Sequence, residues 1–317
     1  MPSQPPIRIG TRASKLARTQ SGHMQQRIAA ALGASPERAE EVAPLVLITT
    51  SGDRIQDRRL LEAGGKGLFV KEIEEALLEG RIDCAVHSMK DVPAELPAGL
   101  LIGAVPERED PRDALVSRGG LGFEDLPKGA RLGTASLRRQ AQALHRRPDL
   151  DIQMLRGNVD TRLGKLDAGE FDAILLAAAG LNRLGLSGRI TELLDPEAAP
   201  PAPGQGALAL EVRAGDLGSD WLAALRHAPT GLCVAAERGA LEALEGSCRT
   251  AIGAYARIED ELLSLTVEAL TPDGADRFRR EASLPLGGST TETETRALGL
   301  ALGRDIRAAA GDRIVWA

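Results

Sequence analysis

Short apolar runs alternate with amphipathic stretches in the first part of the chain. Strands are predicted at 7–9, 45–50 and 84–87, with helices between them from Ser14 to about Leu32 and over 68–79. Gly80 follows the second helix and suits a left-handed C-terminal cap. This βαβαβ order predicts a mainly parallel sheet covered by helices, and therefore an α/β fold.

The same alternation of strand and helix patterns begins again after a proline-containing segment at 106–111. Strands are predicted at 114–117, 131–133, 152–155 and 173–176, with helices at 136–146 and 158–167. A proline-rich break at 196–203 precedes a strand at 206–212. A chain that leaves one α/β unit, builds a second and returns is typical of two-lobed binding folds, whose ligands sit at the carboxyl ends of the strands. We therefore expect a cleft between the lobes.

The pattern changes after Pro229 to a helix at 232–244, three strand-like runs and a final helix near 293–309. This order predicts a separate α+β unit. The predicted domains are 1–107 with 207–226, then 108–206, and then 227–317.

Composition excludes several classes of protein. Aromatic residues make up only 2% and the net charge is −6, which disfavours binding of nucleic acid. Three cysteines without a CxxC pair and four scattered histidines predict no metal site. No apolar run is long enough to cross a bilayer, and the N-terminus lacks a signal-peptide pattern. A cytoplasmic protein without membrane contact is predicted.

Positive charge is concentrated in residues 131–165, where eight Lys or Arg residues face three Asp residues, a net charge of +5. Several of these arginines follow predicted strand-to-helix turns, in the segments 133–139 and 155–162. Helix N-termini favour anions, and arginine adds a two-point grip on a carboxylate. Phosphate fits this pattern equally well, and a solvated helix face with ordinary ion pairs remains an alternative.

Three loops add candidate chemistry. Arg12 and Ser14 precede the first helix, where Ser14 can act as N-cap. Lys90 and Asp91 follow a strand end; Asp91 is a lone carboxylate there, although a turn-capping Asp paired with Lys90 explains the spacing as well. The glycine-rich segment 64–67 lacks the phosphate-loop spacing and is interpreted as a connector.

Cys248 differs from the other two cysteines. It lies after a helix among small residues, and Arg249 follows it, which favours the thiolate. A covalent anchor needs no neighbouring base, whereas a protease-like nucleophile does. Cys84 and Cys233 are predicted to be buried packing residues.

Together these segments resemble the hydroxymethylbilane synthase (porphobilinogen deaminase) family, in the family's order and over nearly the whole chain. They include His-Ser-Met-Lys-Asp-Val-Pro at 87–93 and Pro-Gly-Gln-Gly-Ala at 203–207. The other matching segments are 11–17, 64–72, 133–140, 155–163, 179–185 and 246–249. Two departures are Ala251, where the family more often has proline, and Ser51, where many members carry arginine.

The resemblance implies two periplasmic-binding-protein-like α/β lobes and a C-terminal α+β domain. It implies a monomeric transferase that condenses four porphobilinogen molecules head to tail, with loss of ammonia, into hydroxymethylbilane. A dipyrromethane cofactor, joined through a thioether to Cys248, would prime the chain. Asp91 would be the catalytic carboxylate. The implied cofactor-binding residues are Cys248, Lys90, Ser136, Arg138, Arg139 and Arg162, and the implied substrate-binding residues are Arg12, Ser14, Arg156 and Arg183.

One alternative from another class is a non-enzymatic two-lobed binding protein for a small carboxylate or oxyanion. The missing signal peptide and the third domain with Cys248 count against that hypothesis. The sequence does not assign individual arginines to individual pyrrole rings.

Overall fold

The computed structural model describes residues 5–51, 70–244, 250–314 and 316. The chain groups into two compact units, residues 1–108 with 207–231 and residues 109–206 with 232–317. The boundaries of three domains inferred from the sequence stay a prediction. Among the described residues, no helix is long and apolar enough to cross a membrane.

The secondary structure follows the predicted alternation. The strands are β1 Ile9–Thr11, β2 Leu45–Leu47, β3 Cys84–Ser88, β4 Leu100–Ala104, β5 Asp113–Ser117, β6 Arg131–Gly133, β7 Asp151–Gln153, β8 Ala173–Ala177, β9 Glu192–Leu193, β10 Leu208–Arg213, β11 Ala251–Glu259, β12 Leu262–Leu270 and β13 Arg277–Pro285. The helices are α1 Lys15–Ala31, α2 Ala39–Val42, α3 Lys71–Leu78, α4 Leu137–Arg146, α5 Val159–Asp167, α6 Ala178–Arg183, α7 Asp220–Ala223, α8 Ala228–Ala243 and α9 Glu292–Ala310. Gly80 has a φ of +69°, as expected of a residue just past a helix end.

The first unit is built on a five-stranded sheet in the order β2-β1-β3-β10-β4. Strand β1 runs parallel to β2 and β3, whereas β10 runs antiparallel to β3 and β4. Ile28 of α1 and Leu222 of α7 are fully buried and pack with Ile9 and Leu210 of the sheet. The returning strand is therefore part of this core.

The second unit contains a five-stranded sheet in the order β7-β6-β8-β5-β9. Strand β6 runs parallel to β7 and β8, whereas β5 runs antiparallel to β8 and β9. Successive residues of β8 alternate between two hydrophobic clusters: Ile174 packs with Leu155 and Leu163, and Leu175 packs with Phe123. Because side chains alternate along a strand, both faces of this sheet are covered.

The expectation of mainly parallel sheets was wrong. Each five-stranded sheet has two parallel and two antiparallel pairings. The antiparallel pairings come from β10 and β5. Hydrophobic periodicity reports which face of a strand is buried and carries no information on strand direction.

The C-terminal part of the second unit is α+β, as predicted. Strands β11, β12 and β13 form an antiparallel sheet with β12 in the centre. Leu263, Leu265 and Val267 of β12 are almost fully buried, and they share a cluster with Ala240 of α8 and Ile306 of α9. The α/β fold class with an additional α+β part is therefore confirmed.

Candidate active site

Asp91 lies on a short turn that is fixed from both sides. The turn, Met89–Asp91, is a single 3₁₀ turn directly after β3. Met89 N donates to Ala207 O at 3.0 Å and Val92 N donates to Met89 O at 3.1 Å, and both side chains are buried. Asp91 itself is exposed, and its carboxylate accepts no hydrogen bond and forms no ion pair with any described residue. The turn is thus anchored and the carboxylate is available to a ligand; pairing with Lys90, the sequence alternative, is not observed.

Arg12 and Ser14 follow the neighbouring strand. Ser14 is the N-cap of α1, and its hydroxyl accepts a hydrogen bond from Ala17 N at 3.3 Å. Gln20 of α1 donates through Nε2 to Ser88 Oγ at 3.1 Å, which ties the helix to the end of β3. Because β1 and β3 are adjacent and parallel, the residues after them lie at the same edge of the sheet. The first unit therefore brings Arg12, Ser14, Lys90 and Asp91 to one edge.

The second unit places its predicted site residues in the same manner. Ser136 caps α4 after β6, Arg156 lies in the loop after β7, and Arg183 ends α6 after β8. Strand β6 lies between β7 and β8 and is parallel to both. The three segments that contain Ser136, Arg138, Arg139, Arg156, Arg162 and Arg183 therefore leave the sheet at one edge.

Arg138 and Arg139 are buried, at 5% and 6% exposure, and both bind the carboxylate of Asp113. Arg138 Nη1 donates to Asp113 Oδ2 at 2.7 Å, and Arg139 Nη2 donates to Asp113 Oδ1 at 2.8 Å. Burial by itself would raise the pKa of Asp113, but the charges of the two guanidinium groups hold that pKa well below its usual range. Asp113 is therefore ionised at neutral pH.

Two further arginines differ in how they are held. Arg162 donates through Nε to Gly157 O at 2.8 Å, which fixes it against the loop that precedes α5. Asn158 caps that helix by accepting from Thr161 N. Arg156 is half-buried, and its Nη1 is buried with no hydrogen-bond partner among the described residues. A buried N–H donor without a partner is unfavourable, and a bound carboxylate would satisfy it.

Arg183 is held by the loop that contains Gly206. Its Nη2 donates to Gly206 O at 2.7 Å. Burial lowers the pKa of Arg183, while the neighbouring Glu109 raises it in part. Gly206 has a φ of +87°, and a Cβ atom there would lie 2.3 Å from Glu109 O. This position therefore requires glycine for both its conformation and its close approach.

Sequence reasoning missed Asp113 and assigned no individual role to Gln205. Gln205 is fully buried and donates through Nε2 to Asp113 Oδ1 and to Pro111 O, both at 2.8 Å. The sequence indicates only weakly that both residues are buried. Asp113 stands at the start of an apolar run, and Gln205 is the polar residue of the Pro-Gly-Gln-Gly segment. A polar residue inside an apolar or glycine-rich run is a candidate for a buried partner.

The remaining sequence predictions concern the cysteines, the glycine-rich segment and the two departures from the family pattern. Cys248 and the glycine-rich segment 64–67 lie outside the described residues. Cys84 and Cys233 are buried, as predicted, and burial raises the pKa of Cys84. Of the two departures, Ser51 donates through its backbone N–H to Glu72, and Ala251 is buried at the start of β11.

The chain matches two family models. The porphobilinogen deaminase, dipyromethane cofactor binding domain matches residues 7–219, and the porphobilinogen deaminase C-terminal domain matches residues 231–308. Together they cover well over half of the chain.

Curated relatives match from end to end. Porphobilinogen deaminase of Caulobacter vibrioides (strain NA1000 / CB15N) is 67% identical over 319 residues, covering 99% of both chains. Porphobilinogen deaminase of Phenylobacterium zucineum (strain HLK1) is 65% identical, covering 99% of this chain and 100% of the relative.

Similarity to solved structures is weak. A YaeC-family lipoprotein from Enterococcus faecalis has a TM-score of 0.41 at 16% identity, covering 70% of this chain and 90% of that one. The periplasmic aliphatic sulphonate binding protein from Escherichia coli has a TM-score of 0.40 at 16% identity, covering 76% and 70%. These values carry no argument about function. The family models and the full-length relatives decide between the functional hypotheses: the chain belongs to the porphobilinogen deaminase family.

Proposed function

We propose that Asp91 is the catalytic carboxylate of this chain. As a porphobilinogen deaminase, the chain is a transferase of tetrapyrrole synthesis, which condenses four porphobilinogen molecules head to tail into hydroxymethylbilane and releases one ammonia at each step. The observation that carries the assignment is the exposed carboxylate of Asp91, which has no partner among the described residues and stands on an anchored turn.

The chemistry calls for a fixed negative charge. When the amino group of porphobilinogen leaves as ammonia, the C–N electron pair departs with the nitrogen, and the methylene-pyrrole that remains is cationic. A carboxylate near the ring N–H stabilises this positive charge as it develops in the transition state. By comparison with other preorganised sites, this lowers the activation free energy by about 3 kcal/mol. The same carboxylate, in its protonated form, can pass a proton to the departing amine. The anchored turn supports this role because the charge needs no rearrangement during the reaction.

The cofactor of the family is a dipyrromethane, and each of its pyrrole rings carries two carboxylates. When bound, it supplies the pyrrole carbon to which the first substrate is joined. The described residues fit such a group, because Arg138 Nε is a buried guanidinium donor that has no partner among them. We assign cofactor binding to Lys90, Ser136, Arg138, Arg139 and Arg162, with Cys248 as the thioether anchor.

We assign the carboxylates of incoming porphobilinogen to Arg12, Ser14, Arg156 and Arg183. Arginine suits this task because its planar guanidinium group makes two parallel hydrogen bonds to one carboxylate. The half-buried position of Arg12 and the buried donor of Arg156 support the assignment.

The enzyme is expected to act as a cytoplasmic monomer without a nucleic-acid or membrane partner. The net charge of −6 and the aromatic content of 2% support this part of the proposal. Light scattering coupled to gel filtration measures the oligomeric state directly, and a dimer mass would contradict it.

The test of the assignment compares Asp91→Asn with the parent protein. Turnover of porphobilinogen should fall at least 100-fold, because an amide carries no charge to stabilise the cationic ring. The intact mass of the denatured variant should still include two linked pyrrole units, because Asp91 is not the anchor. Normal turnover in Asp91→Asn would remove Asp91 from the mechanism.

Cys248→Ser is the complementary variant. Its denatured mass should match the bare sequence, since serine cannot form the thioether. A parent protein without the extra mass, freshly prepared and intact, would contradict the covalent cofactor and leave the role of Asp91 to be judged by turnover.

A further inference from the structure

We propose that Asp113 is a positioning residue, which fixes the guanidinium groups of Arg138 and Arg139 for carboxylate binding without contacting the substrate or cofactor itself. The inference rests on the proposed function, since it gives the two arginines a task in binding. Asp113 belongs to none of the segments that carry the family resemblance: the preceding one ends at residue 93 and the following one begins at residue 133.

Both oxygens of Asp113 are occupied inside the protein. Oδ2 accepts from Arg138 Nη1 at 2.7 Å. Oδ1 accepts from Arg139 Nη2 at 2.8 Å, from Arg139 Nε at 3.0 Å and from Gln205 Nε2 at 2.8 Å. Asp113 is 2% exposed. A carboxylate with these contacts has neither the access nor the free lone pairs to bind a ligand.

The charges of the cluster explain why an acid is needed at this position. Arg138 and Arg139 are consecutive residues of α4, and their two positive charges share a buried site. One carboxylate between them removes the repulsion, because a buried cation without a counter-ion is strongly unfavourable. Two guanidinium groups and one carboxylate leave a net charge of +1. The cluster therefore remains attractive to a ligand carboxylate.

Arg138 is also held on its other side. Its Nη1 donates to Gln142 Oε1 at 2.8 Å, and Gln142 Nε2 donates to Glu268 Oε1 of β12 at 2.7 Å. Glu268 in turn accepts from Arg277 Nε at 2.8 Å. Arg138 Nη2 donates to Asp113 Oδ1 at 3.3 Å. Because Nη1 and Nη2 both have partners, Arg138 Nε is left as a buried donor without a partner among the described residues. Asp113 and Gln142 together therefore determine which donor of Arg138 stays available for a ligand carboxylate.

The expected kinetic signature is a change in binding with little change in chemistry. Asp113 touches no reacting atom, so a shift of its carboxylate should alter how tightly the arginines hold their ligands. Because Arg138 and Arg139 are assigned to the cofactor, the loss of this positioning should lower the fraction of protein that carries the cofactor, whereas kcat of the loaded enzyme stays similar.

The test uses Asp113→Glu and Asp113→Asn. Glu keeps the charge but carries it one methylene further out in a fully buried site, so the arginines must move with it. For Asp113→Glu we expect the fraction of purified protein with the mass of two pyrrole units to fall about twofold, with kcat per loaded enzyme and KM for porphobilinogen within about threefold of the parent. For Asp113→Asn we expect a larger fall in that fraction.

The matched control is Asp172→Asn. Asp172 also makes a two-point ion pair with an arginine of the same unit, Arg131, but this pair is half-exposed and none of its members is assigned to binding. KM and cofactor loading should match the parent protein. All assays are run at a temperature well below the unfolding midpoint of each variant.

Two results would overturn the proposal. One is a lowered unfolding midpoint in Asp113→Glu and Asp113→Asn with parental cofactor loading, which assigns Asp113 to stability alone. The other is a fall in kcat per loaded enzyme at parental cofactor loading, which assigns it to chemistry. If Asp113→Asn does not fold, Asp113→Glu decides. A parent protein that lacks the mass of the cofactor would instead count against the proposed function.

Discussion

The basic segment of the chain contains arginines of two kinds, which the sequence pattern alone does not distinguish. Arg131, Arg146 and Arg147 pair with Asp172, Glu124 and Asp149 where water still reaches the pairs. Pairs of this kind contribute little to stability, and they match the alternative of a solvated face. Arg138 and Arg139 are buried on Asp113 instead. The interpretation as a solvated face is therefore correct for part of the segment, and anion binding by the other arginines stays a prediction.

Arg156→Lys should lower kcat/KM about tenfold, or roughly 1.4 kcal/mol, because lysine cannot make the two-point contact with a carboxylate. Steady-state assays with porphobilinogen measure the change. Arg189→Lys is the control, since Arg189 pairs with Asp167 at the surface of the same unit. Equal kinetics for both variants would remove Arg156 from substrate binding.

Local signals in the sequence identified Ser14 as an N-cap and singled out the arginines near helix starts. They did not identify the residues with which these arginines pair. Ser14 as N-cap of α1 depends only on its neighbours in sequence. The pairing of Arg138 with Asp113 spans 25 residues, and that of Gln142 with Glu268 spans 126. Such contacts are set by the packing of distant elements, and neither periodicity nor spacing reports them. For that reason Arg138 and Arg139 were singled out from the sequence, whereas their partner Asp113 was not.

At the scale of elements, the hydrophobic periodicity of the sequence predicted a helix boundary correctly where a capping residue, a glycine or a proline marks it. It did not predict the boundary where one element follows another directly. The apolar run 173–179 contains both β8 and the start of α6, and the helix follows the strand directly. Strand β4 was missed as well. A short apolar run fits a strand and a buried helix equally well.

The last helix, α9, begins with a complete capping box. Thr291 Oγ1 accepts from Glu294 N, and the Glu294 side chain accepts from Thr291 N at 2.7 Å. Thr291→Ala should lower the free energy of unfolding by about 1 kcal/mol, because one helix donor loses its partner. Urea unfolding measures this loss. Thr291→Ser keeps the hydroxyl and should stay within a few tenths of a kcal/mol of the parent protein; an equal loss in both variants would contradict the capping role.

At the scale of the whole molecule, the C-terminal sheet is part of the support for the arginine-bearing helix. Ala141 of α4 packs with Ala251 and Leu270 of the sheet. Ala254 N donates to Pro201 O at 2.9 Å, and Gly253 lies against Pro200. The three-stranded sheet therefore contacts both α4 and the proline-rich segment within the second unit.

Gly253→Ala should destabilise the protein by about 1–3 kcal/mol, because a Cβ atom at this position would lie 2.5 Å from Pro200 O. Gly287→Ala is the control, since its added methyl group would meet no atom within 4 Å. Thermal and urea unfolding of both variants measure the difference. Indistinguishable midpoints would show that the contact with Pro200 can relax at no cost.

Strands β4 and β10 pair in the first sheet although they are far apart in sequence, and this affects the order in which the two five-stranded sheets can fold during synthesis. Among the described residues β4 pairs only with β10, and β10 is separated from it by more than 100 residues of chain. A nascent chain can finish the five-stranded sheet of the second unit, residues 113–193, before β10 has left the ribosome. Until then β4 has no neighbouring strand and Met89 lacks the backbone carbonyl of Ala207. The sheet whose first strand is translated first is therefore the one completed later, and the turn that carries Asp91 acquires its anchor only in the second half of synthesis.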